Sequence, residues 1–358
     1  MKVLYITNGI NGAGGLERVL SIKASYLADH YQYDVTILCL NNTDKDPFYA
    51  FSDKIKMVSI TVGGTPIKYI GSYKRGIQKL VKTINPDVIS VCDDGLKGFF
   101  IPKIIGSKIP IVYERHASIQ LNTNPSIKGT LMKKVMQKLA ADFSVFVVLT
   151  KSNLAEWTSS NIVTIANPLT FYPEKPSALD TKHVIVVGSQ SHNKGADLVL
   201  KAWQMLQERF PDWKLSIYGK EHPERKYENL AKELNINNKV LFYSPVRNIE
   251  EKYLESSLMV LPSRSEGFGM VLIEAMACGV PCVSFDCPSG PRDIVKNAVD
   301  GYLVPAENIE VLALKMMDLM QDDQKRKAFG LNARENVKRF MPERIVKEWD
   351  VLFKSLVQ

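Results

Sequence analysis

Glu266 and Glu274 stand eight residues apart in the stretch RSEGFGMVLIEAMACGVP, on either side of a glycine-spaced turn that runs into a helix. Gly267 and Gly269 let the backbone approach a ligand closely. Val271, Leu272, Ala275 and Met276 are apolar at three- and four-residue spacing, and Gly279 before Pro281 marks a C-terminal stop. A helix that starts on a glycine turn directs free backbone N–H groups and its positive dipole end outward, which makes an anion site, typically for phosphate. Glu274 lies about one turn into the helix while Glu266 precedes the turn, so the two carboxylates do not read as a paired acid and base. A carboxylate beside a phosphate site repels the ligand unless it is aimed at hydroxyls. Sugar hydroxyls meet that requirement, at roughly 1.5 to 3 kcal/mol for each hydrogen bond to a charged group.

Two more strand-to-helix loops carry candidate groups. In VIVVGSQSHNKGADLVLKAW, Lys194 precedes Gly195 at a helix entrance, where an ammonium meets a diphosphate as a point charge. Near the start, Gly9, Gly12, Gly14 and Gly15 form a loop before a helix that opens at Leu16. Its spacing is not the dinucleotide fingerprint, and its N–H groups are expected to face phosphate or an acceptor. His116, in IVYERHAS, follows a strand; it suits either a sugar hydroxyl or a structural bond to backbone. Asp93 and Asp94 also follow a strand and are expected to be solvated. Cys278, Cys282 and Cys287 cluster without zinc spacing or a nearby histidine, so buried free thiols are expected rather than a metal site.

The scaffold for these groups is legible in the pattern of apolar runs. The 358 residues are 45% apolar and 23% charged, an ordinary globular balance and enough for two cores. KVLYIT, VTILCL, DVISVC, IPIVY and FSVFVVL in the first half, and HVIVVG, KLSIYG, KVLFY, LMVLP and VPCVSF in the second, are short, Val/Ile-rich and separated by helical spacing. Such alternation predicts an α/β fold of two doubly wound, Rossmann-like domains, 1–170 and 171–342, facing each other across a cleft at the carboxyl ends of their strands. NPLTFYPEKPSALDTK, residues 167–182 with three prolines, reads as the linker. Pro342 opens a last helix whose apolar side holds Ile345, Trp349, Leu352 and Leu356, with 343–358 expected to pack back onto the first domain.

Charge is unevenly placed. The first 170 residues carry 20 Lys+Arg against 12 Asp+Glu, and the remainder 26 against 26, so the net +8 belongs to the first domain. PIKYIGSYKRGIQKLVKTINP can set Ile70, Tyr73, Ile77, Leu80 and Val81 on one helical side among lysines. SIKGTLMKKVMQKLAADF does the same with Ile127, Leu131, Val135, Met136 and Leu139. Each apolar side alone suits packing on a sheet; the two together predict docking on an anionic membrane. Nucleic acid is not expected, because no binding module accompanies the basic residues. No apolar run is long enough to span a bilayer, and the five cysteines form no paired framework, which predicts a cytoplasmic protein, peripheral at the inner face of the membrane.

GGLERVL, VVGSQSHNKGADLVL, the long PSRSEGFGMVLIEAMACGVPCVSFDCPSGPRDIV with its E-x7-E spacing, DGYLV and the closing tryptophan helix together resemble the retaining glycosyltransferases of family 4, which have the GT-B architecture. The resemblance covers essentially the whole chain. It implies that Glu274 holds the ribose hydroxyls of a nucleotide sugar, that Glu266 contacts the transferred hexose, and that the amides of Phe268, Gly269, Met270 and Val271 cradle the diphosphate and sugar. Lys194 would neutralise the leaving phosphate, and His116 would lie near acceptor and donor sugar. Ser189 stands where the family usually has arginine, so Lys194 acts with the helix dipole alone or Arg264 or Arg292 compensates. The implied activity is transfer of a hexose or N-acetylhexosamine from a nucleotide diphosphate donor, UDP-linked, to a glycan or lipid-diphosphate-linked acceptor in bacterial surface polysaccharide synthesis, without metal or other cofactor. A nucleotide-sugar epimerase and a non-catalytic nucleotide-sugar-binding protein are the alternatives.

Overall fold

The computed structural model describes residues 1–41, 46–106, 108–119, 123 and 126–357; Gln358 of the predicted last helix lies outside them. The chain divides into two compact units, Met1–Thr170 with Pro342–Gln358 and Phe171–Met341. The first runs β1 (Lys2–Thr7), α1 (Gly15–His30), β2 (Asp34–Leu40), β3 (Lys56–Ile60), α2 (Pro66–Ile84), β4 (Val88–Cys92), a 3-10 turn (Leu96–Phe100), α3 (Ile101–Ile105), β5 (Ile111–Arg115), α4 (Ile127–Ala140), β6 (Val145–Val148), α5 (Lys151–Leu154) and β7 (Ile162–Thr164). All its strands pair in parallel, in the order β3-β2-β1-β4-β5-β6-β7.

Helices on both faces explain the unbroken apolar runs of the central strands. Leu4 and Ile6 of β1 point into a core shared with Tyr73 and Ile77 of α2, Ile101 of α3 and Met136 and Leu139 of α4. Tyr5, between them in the pleat, faces the layer of α1, where the Lys23 ammonium lies 5.0 Å from its ring. Two of this unit's strands escaped the sequence reading: β3 is a half-exposed edge and β7 has three residues, none of them buried.

The second unit runs β8 (His183–Val187), α6 (Ala196–Gln204), β9 (Lys214–Tyr218), α7 (Lys226–Glu233), β10 (Val240–Tyr243), α8 (Ile249–Leu254), β11 (Leu258–Leu261), α9 (Met270–Ala277), β12 (Cys282–Asp286), α10 (Pro291–Ile294), β13 (Gly301–Pro305), α11 (Ile309–Gln321) and α12 (Asp323–Val337). Its sheet is also parallel, ordered β10-β9-β8-β11-β12-β13. The predicted linker is in part built structure: Ser177 N–H donates to Cys278 O at 2.8 Å, Ser177 Oγ to Ser256 O at 2.8 Å, and Arg326 holds Leu179 O. Polar side chains satisfied by this unit's own backbone account for the composition that read as a linker.

The last helix, α13 (Pro342–Val357), belongs to the first unit, against α1. It buries Ile345, Val346, Trp349 and Phe353, while the predicted Leu352 and Leu356 are only half-buried, so the packed stripe is rotated from the one the sequence suggested. Tyr33 Oη donates to Asp350 Oδ1 at 2.7 Å beside it.

Each sheet has one place where the strand order reverses, and ligands of open α/β sheets bind in the crevice beyond it. In the first unit it lies between β1 and β4; in the second, between β8 and β11.

Candidate functional site

In the second unit the reversal point is occupied by the loops after β8 and β11. Gly195 caps α6 at φ 67°, and a Cβ there would sit 1.8 Å from Pro262 O at the end of β11. Only a glycine allows both that conformation and that approach. The loops are stitched further by Arg264 N–H to Asn193 O (2.8 Å) and Asn193 Nδ2 to Ser265 O (3.1 Å). This stitching brings Lys194 Nζ to 2.6 Å from Glu266 Oε1. Glu266 is 9% exposed, and its carbonyl accepts from the buried Ser289 hydroxyl at 2.8 Å.

After Glu266 the chain turns through Gly267 and the buried Phe268, whose ring meets Phe340 edge-on at 5.5 Å. Gly269, at φ 103°, caps α9 without a side-chain hydrogen bond, and no acidic residue lies in the first turn over Met270 and Val271. Glu274 follows one turn later, 1% exposed, with Tyr253 Oη donating to Oε2 at 3.2 Å. The helix closes on Gly279, whose N–H bonds Met276 O while Val280 N–H bonds Ala275 O, each at 2.9 Å, the paired stop that the sequence suggested.

The cation at the turn is Lys194. Arg264 is otherwise engaged: both terminal nitrogens reach Asp197 at 2.9 and 2.8 Å, Nη1 also reaches His192 O at 2.5 Å, and Nε reaches Glu307 at 2.7 Å. Its guanidinium is thereby committed to protein partners, and Arg264 positions the Lys194 loop rather than standing in for an arginine at 189. Arg292 pairs with Asp286 at 2.8 Å. Ser189 is exposed and its hydroxyl lies 3.2 Å from that of Ser191.

In the first unit a pocket of about 360 Å3 opens at the β1/β4 reversal, lined by the loop after Thr7, by Leu16 and Glu17, and by Cys92, Asp94 and Gly95. Gly14 caps α1 and Gly15 is its first residue. Cβ atoms at Gly12 and Gly14 would lie 2.5 and 2.4 Å from the Glu17 carboxylate, which therefore lies over this loop. A phosphate would meet that negative charge, so the geometry favours hydroxyls over phosphate here.

Asp93 and Asp94 are not the solvated pair the sequence suggested. Asp93 is buried, accepting from Asn8 Nδ2 at 2.8 Å and Gly95 N–H at 2.7 Å, and desolvation pushes its carboxyl up despite those bonds. Asp94 Oδ1 accepts from the N–H groups of His116 and Ala117 at 2.9 and 3.1 Å, which ties the β4 loop to the β5 loop.

His116 stands on a buried ion pair. Its Nε2 is 3.3 Å from Glu114 Oε2, and the same carboxylate takes the Lys23 ammonium and the Ser90 hydroxyl. Burial alone would push Glu114 up; Lys23 and His116 outweigh it and hold it at about 2. An ionised carboxylate only accepts, so Nε2 carries the proton of this contact. Nδ1, buried and without a hydrogen-bond partner among the described residues, is then an acceptor in the neutral ring. Cys92, Glu114 and His116 offer donor atoms within 4.8 Å of one another, yet the Lys23 ammonium already supplies the cation there.

Both units match known sequence families. Residues 170–336 match glycosyl transferases group 1, and 12–152 match the glycosyl transferase 4-like model. An uncharacterized glycosyltransferase of Haemophilus influenzae is 30% identical over 97% of this chain and 98% of its own length. The chain belongs to the family 4 glycosyltransferases. The amylovoran biosynthesis glycosyltransferase AmsD of Erwinia amylovora is 27% identical, covering 98% of both chains. An N-acetyl-D-galactosaminyltransferase of Campylobacter jejuni, named for an undecaprenol-diphosphate-linked substrate, is 26% identical over 98% of this chain and 97% of its own. Among solved structures, Staphylococcus aureus TarM with fondaparinux, an α-GlcNAc glycerol and UDP shares the GT-B fold, at TM-score 0.83 and 16% identity over 98% of this chain and 99% of TarM.

In this glycosyltransferase the second unit brings together Lys194, Glu266 and the 267–271 turn, with Glu274 one helical turn on. Gly14, Gly15 and His116 lie in the first unit. Sequence reasoning missed Asp197 and Glu307, which hold Arg264, and Lys23, Glu114 and Glu17. It also missed Gln190 in the loop after β8, 3% exposed with neither amide atom partnered among the described residues. Only Glu17 left a local signal, since an acid three residues after a helix cap is a capping position.

Proposed function

We propose that this glycosyltransferase moves a hexose or N-acetylhexosamine from a UDP-linked donor to a hydroxyl of a glycan or lipid-diphosphate-linked oligosaccharide, with retained anomeric configuration, in surface polysaccharide synthesis. The observation that carries the reading is the Lys194–Glu266 pair at the uncapped start of α9. It sets a cation and free amides, which suit phosphate, beside a carboxylate, which suits hydroxyls. Lys194 and the amides of residues 268–271 take the diphosphate, Glu266 the transferred sugar and Glu274 the ribose hydroxyls. As the glycosidic bond to phosphate breaks, the acceptor oxygen attacks the same face of the anomeric carbon and its proton passes to the departing phosphate oxygen. The protein supplies orientation and charge stabilisation, with no metal needed because lysine, amides and helix dipole do that electrostatic work.

The acceptor is assigned to the first unit, where Glu17 and Asp94 line the pocket and His116 Nδ1 accepts from a hydroxyl. The names of AmsD and of the Campylobacter relative support polysaccharide synthesis and a lipid-diphosphate carrier, and UDP in TarM supports the base. The enzyme then works peripherally at the cytoplasmic face of an anionic membrane; among the described residues no helix is long and apolar enough to cross one.

The test is a thermal-shift comparison of UDP, GDP and ADP on wild type and Glu274→Ala, with the product anomer read by NMR. UDP is expected to stabilise the wild type selectively and the variant much less, and Glu266→Gln is expected to lower kcat about 100-fold while UDP still binds. Activity is expected to survive chelator. No shift from any nucleotide, an inverted anomer, or a sugar trapped covalently on Glu266 would sink the proposal.

A further inference from the structure

The basic excess of the first unit is one-sided. Helices α2, α3 and α4, with the 3-10 turn before α3, pack on the sheet face reached by Leu4 and Ile6. Together these segments carry eleven Lys and Arg and no Asp or Glu. Helices α1 and α13, on the Tyr5 side, carry five basic and five acidic residues, so that layer is neutral.

Large apolar side chains stand exposed on the same basic layer. The helices there pack through Tyr73, Ile77 and Val81 and through Met136 and Leu139; of the predicted apolar sides, α2 leaves only Ile70 outward, whereas α4 leaves three of its five residues outward. On α4, Ile127 is 91% exposed, Leu131 63% and Val135 39%, at four-residue spacing that sets them in one stripe. Ile67 and Ile70 of α2 and Phe100 of the 3-10 turn are exposed as well. Of the eight large hydrophobics exposed among the described residues up to 170, six lie on this layer.

We infer that the outer face of the α2–α3–α4 layer is a docking surface for an anionic lipid bilayer, with α4 lying in the interface, Ile127, Leu131 and Val135 entering the acyl boundary and its lysines on the headgroups. The inference rests on the reading that the acceptor is lipid-linked and extends it by naming the surface. Charge complementarity selects the occupant: a face with eleven cations and no anion meets phospholipid phosphates, and its exposed aliphatic stripe needs an apolar phase that a purely polar polyanion lacks.

The experiment is co-sedimentation of the full chain with vesicles of phosphatidylcholine alone and of phosphatidylcholine with a quarter phosphatidylglycerol. Wild type is expected to bind the anionic vesicles and to lose binding as salt rises. Replacing Lys128, Lys133, Lys134 and Lys138 by Gln should weaken binding by up to about fivefold per lysine. Leu131→Asp with Ile127→Asp should abolish binding with thermal stability unchanged, since both residues are exposed. Replacing Lys201, Lys214, Lys232 and Lys327 of the second unit by Gln should leave it intact. Equal binding to neutral vesicles, binding that survives the α4 changes, a lipid-free dimer lost in those variants, or RNA binding in place of vesicle binding would each overturn the inference. UDP stabilisation of the same variants separates the two readings: lost vesicle binding with intact UDP response concerns this surface alone, and the reverse concerns the transferase site.

Discussion

Lys23 and Glu114 are 91 residues apart and meet with neither side chain more than 1% exposed. The ammonium also lies 3.9 Å from the Trp349 ring, so aromatic faces and one carboxylate replace its water. Lys23→Met strands the Glu114 charge and should destabilise the first unit by about 3–5 kcal/mol in urea unfolding; adding Glu114→Gln should recover most of it, and a double variant as unstable as the single would refute the pairing. The depressed Glu114 carboxyl gives this ion pair its own pH dependence. Its stabilisation is complete above the ordinary carboxylate range and is lost as pH falls from there towards about 2, on the order of 3 kcal/mol in all. Glu114→Gln should flatten that acid limb. Glu266 and Glu274 were legible because their signal is local, a glycine turn and a helix within nine residues. Lys23 and Glu114 were not, because a lysine in an amphipathic helix reads as solvated, and only tertiary pairing shows otherwise.

Among the elements, the α6 entrance carries the sharpest geometric demand. Gly195→Ala adds a Cβ 1.8 Å from Pro262 O at a φ of 67°, and the backbone must shift. The variant should lose more than about 2 kcal/mol and, by displacing Lys194, lower kcat well beyond its effect on stability. Gly71→Ala, in α2 where an added Cβ meets no other described residue within 4 Å, should instead be neutral or stabilising by up to about 1 kcal/mol. Equal thermal shifts in the two variants would refute the steric account. The buried central strands were readable from their Val/Ile runs, whereas β3 was not: as a half-exposed edge it mixes lysine and serine into KMVSI. The apolar sides of α2 and α4 were readable as composition, but which residues pack depends on where the sheet ends beneath them. The sheet takes Tyr73 and Met136 and leaves Ile70 and Leu131 outside.

At the scale of the whole molecule, two sheets of the same winding and a one-sided charge distribution were both legible, the first from the repeated strand-helix alternation, the second from counting charges by halves. The seam at 170–171 has less of a linker than its prolines suggest, because Ser177 and Leu179 are bonded into the second unit. The first unit is discontinuous: α13 completes it after the entire second unit has intervened. A ribosome therefore delivers residues 171–341 as a contiguous, foldable piece before it delivers the aromatic lid for Lys23. A nascent chain stalled with residue 341 just outside the exit tunnel should show the second unit resistant to protease and the first still cleaved, with protection arriving only when α13 emerges. Early protection of the first unit would refute this order. Of the two sheets, the one delivered first is finished last, and until then a buried lysine, its glutamate and the α1 surface stand open to chaperone and protease.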